Sequence, residues 1–202
     1  MTSNCFKLAL LVIFIFAYPA CSIAGDDDNA ISPLAIDNYW VYEVQAFMGG
    51  NPNPIQTMTD TLKVRSSKDW NGYTWYSYSA LSADDEGHYY RNDKDGHYQL
   101  TISPEYKDGK AELMVKLPLK LNDSWVDEAQ SITITVEAVD ETVTVPAGRF
   151  DGCYRCKMFM SEGAEGTMWV KPGVGQIKME FKAKQGEMEV RSVRNLTDYN
   201  VK

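Results

Sequence analysis

An alternation of apolar and polar residues with a period of two dominates the chain from Tyr39 onward. It is clearest in the segments 112–119, 131–138 and 176–183, where every second residue is apolar and most of the others are polar. Strands that bury one face and expose the other are typical of antiparallel sheets, because parallel sheets give continuous apolar runs. The pattern therefore predicts an antiparallel β protein.

Turn-forming residues separate these segments at short intervals. Asp-Gly and Asn-Gly pairs suit the positive φ angles of hairpin turns, and turn signals occur at 49–52, 69–72, 84–87, 95–96, 107–109, 162–163 and 185–186. The segments between them number about ten to twelve, and none has the pattern of an amphipathic helix. We therefore predict an all-β fold with few or no helices, an antiparallel, strongly curved sheet of the half-barrel or sandwich-like type.

The pair Asp95-Gly96 also predicts a register. If these two residues form the turn, Lys94 lies opposite His97 and His88 lies opposite Ser103. The two histidines of the chain would then lie about 20 Å apart along the hairpin. We therefore expect them to share neither a metal ion nor a proton relay.

The N-terminus has the layout of a cleavable secretory signal. Lys7 precedes the apolar run 8–17, which is too short to cross a bilayer as a helix, and small residues follow at 20–24. We predict a signal peptide at 1–20, a flexible acidic tether at 21–30, a single antiparallel β domain at 31–196 and a C-terminal tail at 197–202.

Two processing routes are open. Cleavage before Cys21, with lipid on its sulfur, resembles the processing of a bacterial lipoprotein, although Tyr18 and Pro19 depart from that pattern. Ser22 then resembles the second residue of lipoproteins sorted to the outer membrane. Ordinary signal peptidase cleaving after Ala24 is the alternative, and it would give a periplasmic or secreted soluble protein.

The charge of the chain argues against one class of partner, nucleic acid. Without the signal the chain has 19 Lys and Arg against 28 Asp and Glu, and such an acidic surface repels nucleic acid.

Cys153 and Cys156 lack the second ligand pair of a zinc site. On a regular strand they would lie about 10 Å apart, beyond the roughly 7 Å limit of a disulfide, so a disulfide would need a bulge.

No residue pattern predicts catalysis. The chain has no Gly-x-Ser-x-Gly motif, and neither histidine lies in a recognisable motif. The alternate acids of 92–96 lack the remaining ligands of a calcium loop, so a hairpin tip is the better interpretation. We predict no catalytic residue, no metal site and no cofactor.

The aromatic residues are more informative. Twelve tyrosines and five tryptophans include strands that are apolar on both faces, which belong either to a large core or to the wall of a cavity. In the second case the concave face would take an apolar or amphiphilic ligand. The candidate ligand-binding residues are Trp40, Tyr42, Trp75, Tyr76 and Trp169.

Five segments together resemble a group of functionally uncharacterised bacterial envelope lipoproteins. They are 33–42 (PLAIDNYWVY), 89–93 (YYRND), 122–125 (NDSW), 145–153 (VPAGRFDGC) and 169–178 (WVKPGVGQIK). Asp37 stands where the group usually has Gly, and Gln176 where it often has Leu. The resemblance implies a curved antiparallel sheet similar to the half-barrels of periplasmic lipoprotein carriers, and it carries over no catalytic residue.

These observations predict a non-enzymatic exported envelope lipoprotein that binds an apolar or amphiphilic ligand, or a protein partner, on a curved sheet. A purely structural or interaction module of the cell envelope is the alternative, and a hydrolase using surface carboxylates is the third hypothesis. The expected partners are the membrane, through a lipid anchor, and an apolar ligand or an envelope protein.

Overall fold

A computed structural model describes residues 31–80, 88–102, 109–127, 131–160 and 163–202, without the side chains of Ser79, Ala80 and Gln185. The predicted signal peptide, the tether and Cys21 lie outside these ranges. So do the turn signals at 84–87 and 107–108, and Ser103.

Within these ranges the chain forms one antiparallel sheet of twelve strands and no α-helix. The strands are β1 (Tyr39–Met48), β2 (Gln56–Trp70), β3 (Tyr73–Ala80), β4 (His88–Asp93), β5 (Gly96–Thr101), β6 (Lys110–Lys116), β7 (Ser124–Asp127), β8 (Ile132–Val145), β9 (Gly148–Phe159), β10 (Glu165–Lys171), β11 (Gly175–Gln185) and β12 (Met188–Asn200). Their order in the sheet is β6-β5-β4-β3-β2-β1-β12-β11-β10-β9-β8-β7. The predicted all-β, curved antiparallel fold is confirmed.

The sheet is nearly closed, and its two edge strands, β6 and β7, lie against each other. No backbone ladder joins them among the described residues. Instead, the indole Nε1 of Trp125 on β7 donates a hydrogen bond of 2.7 Å to the carbonyl oxygen of Met114 on β6. The seam is therefore held by side chains, whereas every other neighbouring pair of strands shares a hydrogen-bond ladder.

The period of two determines which side chains face the enclosed core. On β8 the apolar residues Ile132, Ile134 and Val136 are buried, as predicted. On β6 a bulge opposite His97 and Tyr98 interrupts the alternation, so Met114 and Val115 are both buried. Regular alternation over 112–119 would place Met114 outward with Glu112 and Lys116. That expectation is wrong, because a bulge turns neighbouring residues to the same face.

The predicted turn of the β4–β5 hairpin is wrong by one residue, and each predicted register partner is therefore wrong by two. Asp93 pairs with Gly96, so Lys94 and Asp95 form the turn, and His88 lies opposite Thr101. Gly96 was predicted to be a turn residue, but it is the first residue of β5. A Cβ atom there would collide with the Leu113 side chain and the Val115 carbonyl oxygen of β6, so glycine permits close approach of the neighbouring strand.

One end of the curved sheet is filled, and we call it the closed end. It comprises residues 31–38, the β8–β9 turn at 146–147 and the β10–β11 turn at 172–174. Ala147 N donates to the carbonyl oxygen of Leu196 at 3.0 Å, and the ring of Phe150 lies 5.9 Å from that of Tyr199. The tip of the β8–β9 hairpin is therefore folded against β12.

The N-terminal segment completes the closed end. The indole Nε1 of Trp40 donates to the carbonyl oxygen of Val174 at 2.6 Å. Gly175, with a φ of 116°, lies so close to Ser32 that a Cβ atom would overlap its hydroxyl oxygen. Three of the segments that carry the resemblance, 33–42, 145–153 and 169–178, thus meet at one end of the fold, where they pack against one another.

The chain also ends there. β12 runs to Asn200, and Lys202 N donates to Asn38 Oδ1 at 3.2 Å. The described ranges contain no helical segment with the length and hydrophobicity of a membrane span. The first and last described residues therefore leave the sheet from the same end.

Candidate functional site

A row of inward-facing side chains crosses seven neighbouring strands of the interior, and we call it the methionine row. Each member is the register partner of the next, and all except the first are buried: Met58, Val44, Arg194, Met179, Met168, Cys156 and Val136. Methionine is unbranched and polarisable, so methionine-rich surfaces adapt to ligands of different shape. The row is apolar apart from one charged residue.

That residue, Arg194, is held by an ion pair inside the sheet. Its Nη2 donates to Asp60 Oδ2 at 2.7 Å, and its guanidinium lies 4.0 Å from the centroid of the Tyr42 ring. The side chain of Arg194 is 6% exposed and that of Asp60 is 24% exposed. Because a buried charge is costly without a partner, Asp60 stabilises Arg194 and also connects the pair to solvent.

Tyr42 forms the floor beneath this ion pair. It has no exposed surface, and its hydroxyl donates to the carbonyl oxygen of Gln176 at 3.1 Å. Burial raises the pKa of Tyr42, and the nearby positive charge of Arg194 opposes that change. The hydroxyl therefore stays protonated and acts as a hydrogen-bond donor.

An aromatic chain continues from β1 across the inner faces of β3, β4 and β5. Trp40 meets Tyr78 edge to face at 5.4 Å, Tyr78 meets Tyr90 at 5.9 Å, and Tyr90 stacks on His97 at 5.6 Å with an interplanar angle of 4°. Such pairs stabilise a core beyond the area that they bury. The chain belongs to the packed interior, since each of its members is at most 3% exposed.

The inner side of the β4–β5 hairpin is polar, and we call it the polar flank: His88, Asn92, His97 and Gln99. His97 Nδ1 and Asn92 Oδ1 are 2.9 Å apart, and Gln99 Nε2 lies 3.0 Å from His88 Nδ1. Because the amide oxygen of Asn92 can only accept, the His97 ring donates from Nδ1 in this contact. Three further atoms, His97 Nε2, Asn92 Nδ2 and Gln99 Oε1, are buried without a hydrogen-bond partner among the described residues.

Burial also sets the charge of the polar flank. His97 is fully buried, and burial lowers the pKa of His97 to about 3. Its imidazole is therefore neutral at physiological pH. With the amides of Asn92 and Gln99, His97 contributes neutral donors and acceptors, in contrast with the ion pair of the methionine row.

The structure separates the five candidate ligand-binding residues. Trp40 and Tyr42 lie in the main core, with at most 1% exposure. Tyr76 faces the same side and stays partly exposed, but the β3 side chain whose ring meets that of Trp40 is Tyr78. A side chain with no exposed surface adjoins no water-sized space, so the interior is closely packed around Trp40 and Tyr42.

Trp75 and Trp169 lie on the outer face. Trp75 alternates with the inward-facing Tyr76, and its ring lies 5.9 Å from that of Trp70. Trp169 alternates with the buried Met168, and its indole donates to Glu141 Oε2 at 3.0 Å. These two residues therefore do not join Trp40, Tyr42 and Tyr76 on the inner face.

Sequence reasoning missed Arg194, although the chain contained a signal for it. On β12 the residues Val190, Ser192 and Leu196 alternate with more exposed ones and are buried. Arg194 occupies the same phase. A charged residue in the inward phase of a strand indicates a buried ion pair or a binding group, but its partner Asp60 becomes visible only when the strands are assembled.

The two described cysteines are free and buried. Irregular pairing of β8 with β9 turns both thiols inward, although regular alternation would place them on opposite faces. Burial raises the pKa of the Cys153 thiol and raises that of Cys156 to about 12. In the part of the chain that the structure describes, no three His, Cys, Asp or Glu side chains come together as metal ligands.

No family model matches the chain, and no curated protein matches its sequence. Two solved structures resemble it. One is a Bacteroides fragilis protein described as exported, with a YmcC-like fold, at 12% identity and a TM-score of 0.40, covering 83% of this chain and 97% of its own. The other is a Parabacteroides distasonis protein described as a lipoprotein, at 13% identity and a TM-score of 0.42, covering 87% of this chain and 100% of its own. With TM-scores below 0.5, these likenesses carry no argument about function.

Proposed function

We propose that the protein is an exported envelope lipoprotein, anchored through Cys21, that binds an amphiphilic ligand inside its curved sheet without catalysing a reaction. The observation that supports this function is the ion pair of Asp60 and Arg194 within the methionine row. An adaptable apolar surface with one polar group suits a ligand that has an apolar chain and a polar head.

Accessibility favours the same region. Trp40 and Tyr42 are enclosed, but Met58 and the Asp60 side chain are partly exposed on the inner side of β2. A ligand head can therefore approach the ion pair from the end opposite the closed end. Its apolar part would lie along the methionines after a rearrangement of their flexible side chains.

The anchor proposal fits the position of the N-terminal segment. Residue 31 lies at the closed end, and the ten preceding residues from Cys21 reach at most about 35 Å when extended. A lipid on Cys21 would therefore keep the closed end near the membrane surface.

A double variant tests the binding function. Asp60→Leu with Arg194→Met replaces the ion pair by apolar residues of similar size, a change that is often neutral for folding. We expect the affinity for sodium laurate, measured by calorimetry, to fall about tenfold or more, since a charge-assisted hydrogen bond is lost. Equal laurate affinity of the double variant and the natural chain would refute the role of Arg194.

The matched control is Arg149→Met with Asp151→Leu. This pair is also joined by a salt bridge, of 3.1 Å, but both side chains are about two-thirds exposed, at 68% and 67%. It should leave the affinity for laurate unchanged. Native mass spectrometry of gently extracted protein adds a direct readout. A co-purified amphiphile is expected with the control variant and not with the Asp60→Leu and Arg194→Met double variant.

The anchor is tested separately by the intact mass of protein extracted from membranes. A lipidated chain beginning at Cys21 is expected. A mature chain beginning at Gly25 would contradict the anchor and would favour the periplasmic or secreted soluble protein.

A second candidate function, an interaction module of the envelope, is favoured by exposed apolar residues. Val126 and Phe159 are 53% and 50% exposed, and both are register partners of Thr133 on the outer face. Exposed apolar patches often mark contacts with other proteins. A photo-crosslinker at position 159 should capture a discrete partner in cells, whereas one at Lys184 on β11 should not.

The third hypothesis, a hydrolase, expects carboxyl groups with a raised pKa in a cleft. Among the described residues, the side-chain hydrogen bond and charge of Lys63 lower the pKa of Asp37. Hydrogen bonds from Thr142 and Arg149 lower the pKa of Asp151. Both groups favour the charged form, which suits ion pairing and not proton donation.

A further inference from the structure

The outer face of β9 to β12 and β1 carries a row of charged residues between two phenylalanines. Successive register partners are Phe159, Glu165, Lys182, Arg191 and Phe47. Both Phe159 and Phe47 have a cationic side chain over the ring, Lys157 at 5.6 Å and Arg191 at 4.1 Å. The row belongs to the surface and is separate from the methionine row inside the sheet.

The charges in this row are unequally compensated. Glu165 accepts from Lys157 at 2.9 Å and also from Lys182, so one carboxylate serves two ammonium groups. Arg191 makes no ion pair with a carboxylate in the described ranges, and its contact there is the Phe47 ring. The row therefore retains positive charge, and its guanidinium has hydrogen-bond donors available for an anion.

Two surface depressions flank Arg191. One, of about 220 Å³, is lined by Lys157, Glu165, Lys182 and Arg191 among others. The second, of about 200 Å³, is lined by Phe47, Met48, Pro52 and Arg191 among others. The first combines three cationic side chains with the carboxylates of Glu165 and Glu180, and the second has an apolar side and the carboxylate of Glu189. Arg191 therefore stands at the border between a charged and a partly apolar hollow.

The C-terminal part of the sequence is less acidic than the chain as a whole. The whole chain has a net charge of -8, but residues 149–202 contain ten Lys and Arg against seven Asp and Glu, a net charge of +3. Anions are repelled by most of an acidic surface and concentrate where the sign is reversed. Arg191 lies in this less acidic part of the sequence.

We propose that Arg191 and its two flanking depressions form a binding site for a phosphate group that carries a neighbouring apolar chain. The phosphate accepts hydrogen bonds from the Arg191 guanidinium on the side of Lys182, and the apolar chain lies against Phe47, Met48 and Pro52. The site is independent of the proposed binding function inside the sheet.

Octyl phosphate, titrated by calorimetry into the full mature chain, tests the site. We expect Arg191→Gln to weaken its binding about tenfold or more, because a charge-assisted contact is lost, and Lys182→Gln to weaken it less. Octyl glucoside, with the same chain and no charge, should bind more weakly than octyl phosphate. Arg149→Gln removes an equal charge from the closed end and should leave the affinity unchanged.

Three results would overturn the proposal. They are no binding of octyl phosphate, equal weakening by Arg191→Gln and Arg149→Gln, and equal affinity for octyl glucoside. Vesicles of phosphatidylcholine with and without phosphatidylglycerol identify the source of the phosphate. Arg191-dependent binding to the anionic vesicles indicates a membrane lipid, whereas binding of octyl phosphate alone indicates a soluble ligand.

The same experiments keep this site apart from the interior one. Arg191→Gln should leave the affinity for laurate unchanged, and Asp60→Leu with Arg194→Met should leave the affinity for octyl phosphate unchanged. Loss of both ligands in either variant would show a single shared site and contradict the assignment to Arg191.

Discussion

The closed end and the polar flank both lie against the inner face of one sheet, but they differ in what they bury. At the closed end, Trp40 and Gly175 meet with almost no spare room. At the polar flank, His97 and Gln99 are equally buried and leave polar atoms without partners. Burial alone therefore does not determine how a region responds to change. The stability of the closed end should depend on shape, and that of the polar flank on protonation.

The largest effect is expected from Gly175→Ala, which tests the shape of the closed end. The added Cβ atom would overlap the Ser32 hydroxyl at a φ of 116°, and we expect a loss of about 3 kcal/mol in unfolding free energy. Urea denaturation measures it. Gly173→Ala is the control, since its φ is 76° with no atom within 4 Å, and it should cost about 1 kcal/mol.

The second-largest effect is expected in the pH dependence of stability, through the protonation of His97 in the polar flank. Burial lowers the pKa of His97 to about 3, below the unfolded value of about 6.5, so the unfolded chain binds the proton first as the pH falls. The contribution of His97 is complete above pH 6.5 and is lost progressively toward pH 3. Between pH 6.5 and 5, protonation of His97 in the unfolded chain should lower the unfolding free energy by about 2 kcal/mol.

Urea denaturation across this pH range gives the slope, and two variants assign it. His97→Asn should flatten this part of the profile, whereas the exposed His88→Asn should keep it. A profile that is unchanged by His97→Asn would show that the polar flank is not the source of the pH dependence.

A smaller effect is expected from Trp40→Phe, which removes one hydrogen bond at the closed end. The Val174 carbonyl oxygen would lose its 2.6 Å donor, at a cost of about 1.5 kcal/mol. Trp169→Phe is the matched control on the outer face, where Glu141 keeps its bond from Arg155 and is partly open to water. It should cost about 0.5 kcal/mol, and equal losses would remove the distinction between the two faces.

The smallest effect is expected for Cys153 and Cys156 on β9, whose thiols are buried in the core. Burial raises the pKa of Cys156 to about 12 and also raises that of Cys153, so both thiols should resist alkylation at pH 8. Mass spectrometry after iodoacetamide treatment should show labelling in urea and none in buffer. Rapid labelling of the folded chain would show that this part of the core opens.

Local signals predicted the strands well and the interior poorly. The alternation of Ile132, Ile134 and Val136 predicted an inward face, because a half-buried strand needs no distant information. The role of Gly96 was misassigned, since its constraint comes from Leu113 and Val115 on another strand. The positions of Trp75 and Trp169 depend on which way each strand faces, which aromatic content alone does not give.

The antiparallel all-β fold follows from local patterns in the chain, because alternation and turn chemistry act over a few residues. Which residues meet depends instead on how the strands assemble. Asp60 and Arg194 are 134 positions apart, and their ion pair exists because β2, β1 and β12 are neighbours in the sheet. Arg191, three positions from Arg194, faces outward beside Phe47. Contacts between distant strands depend on sheet order and register, and these are fixed by the packing of the whole chain.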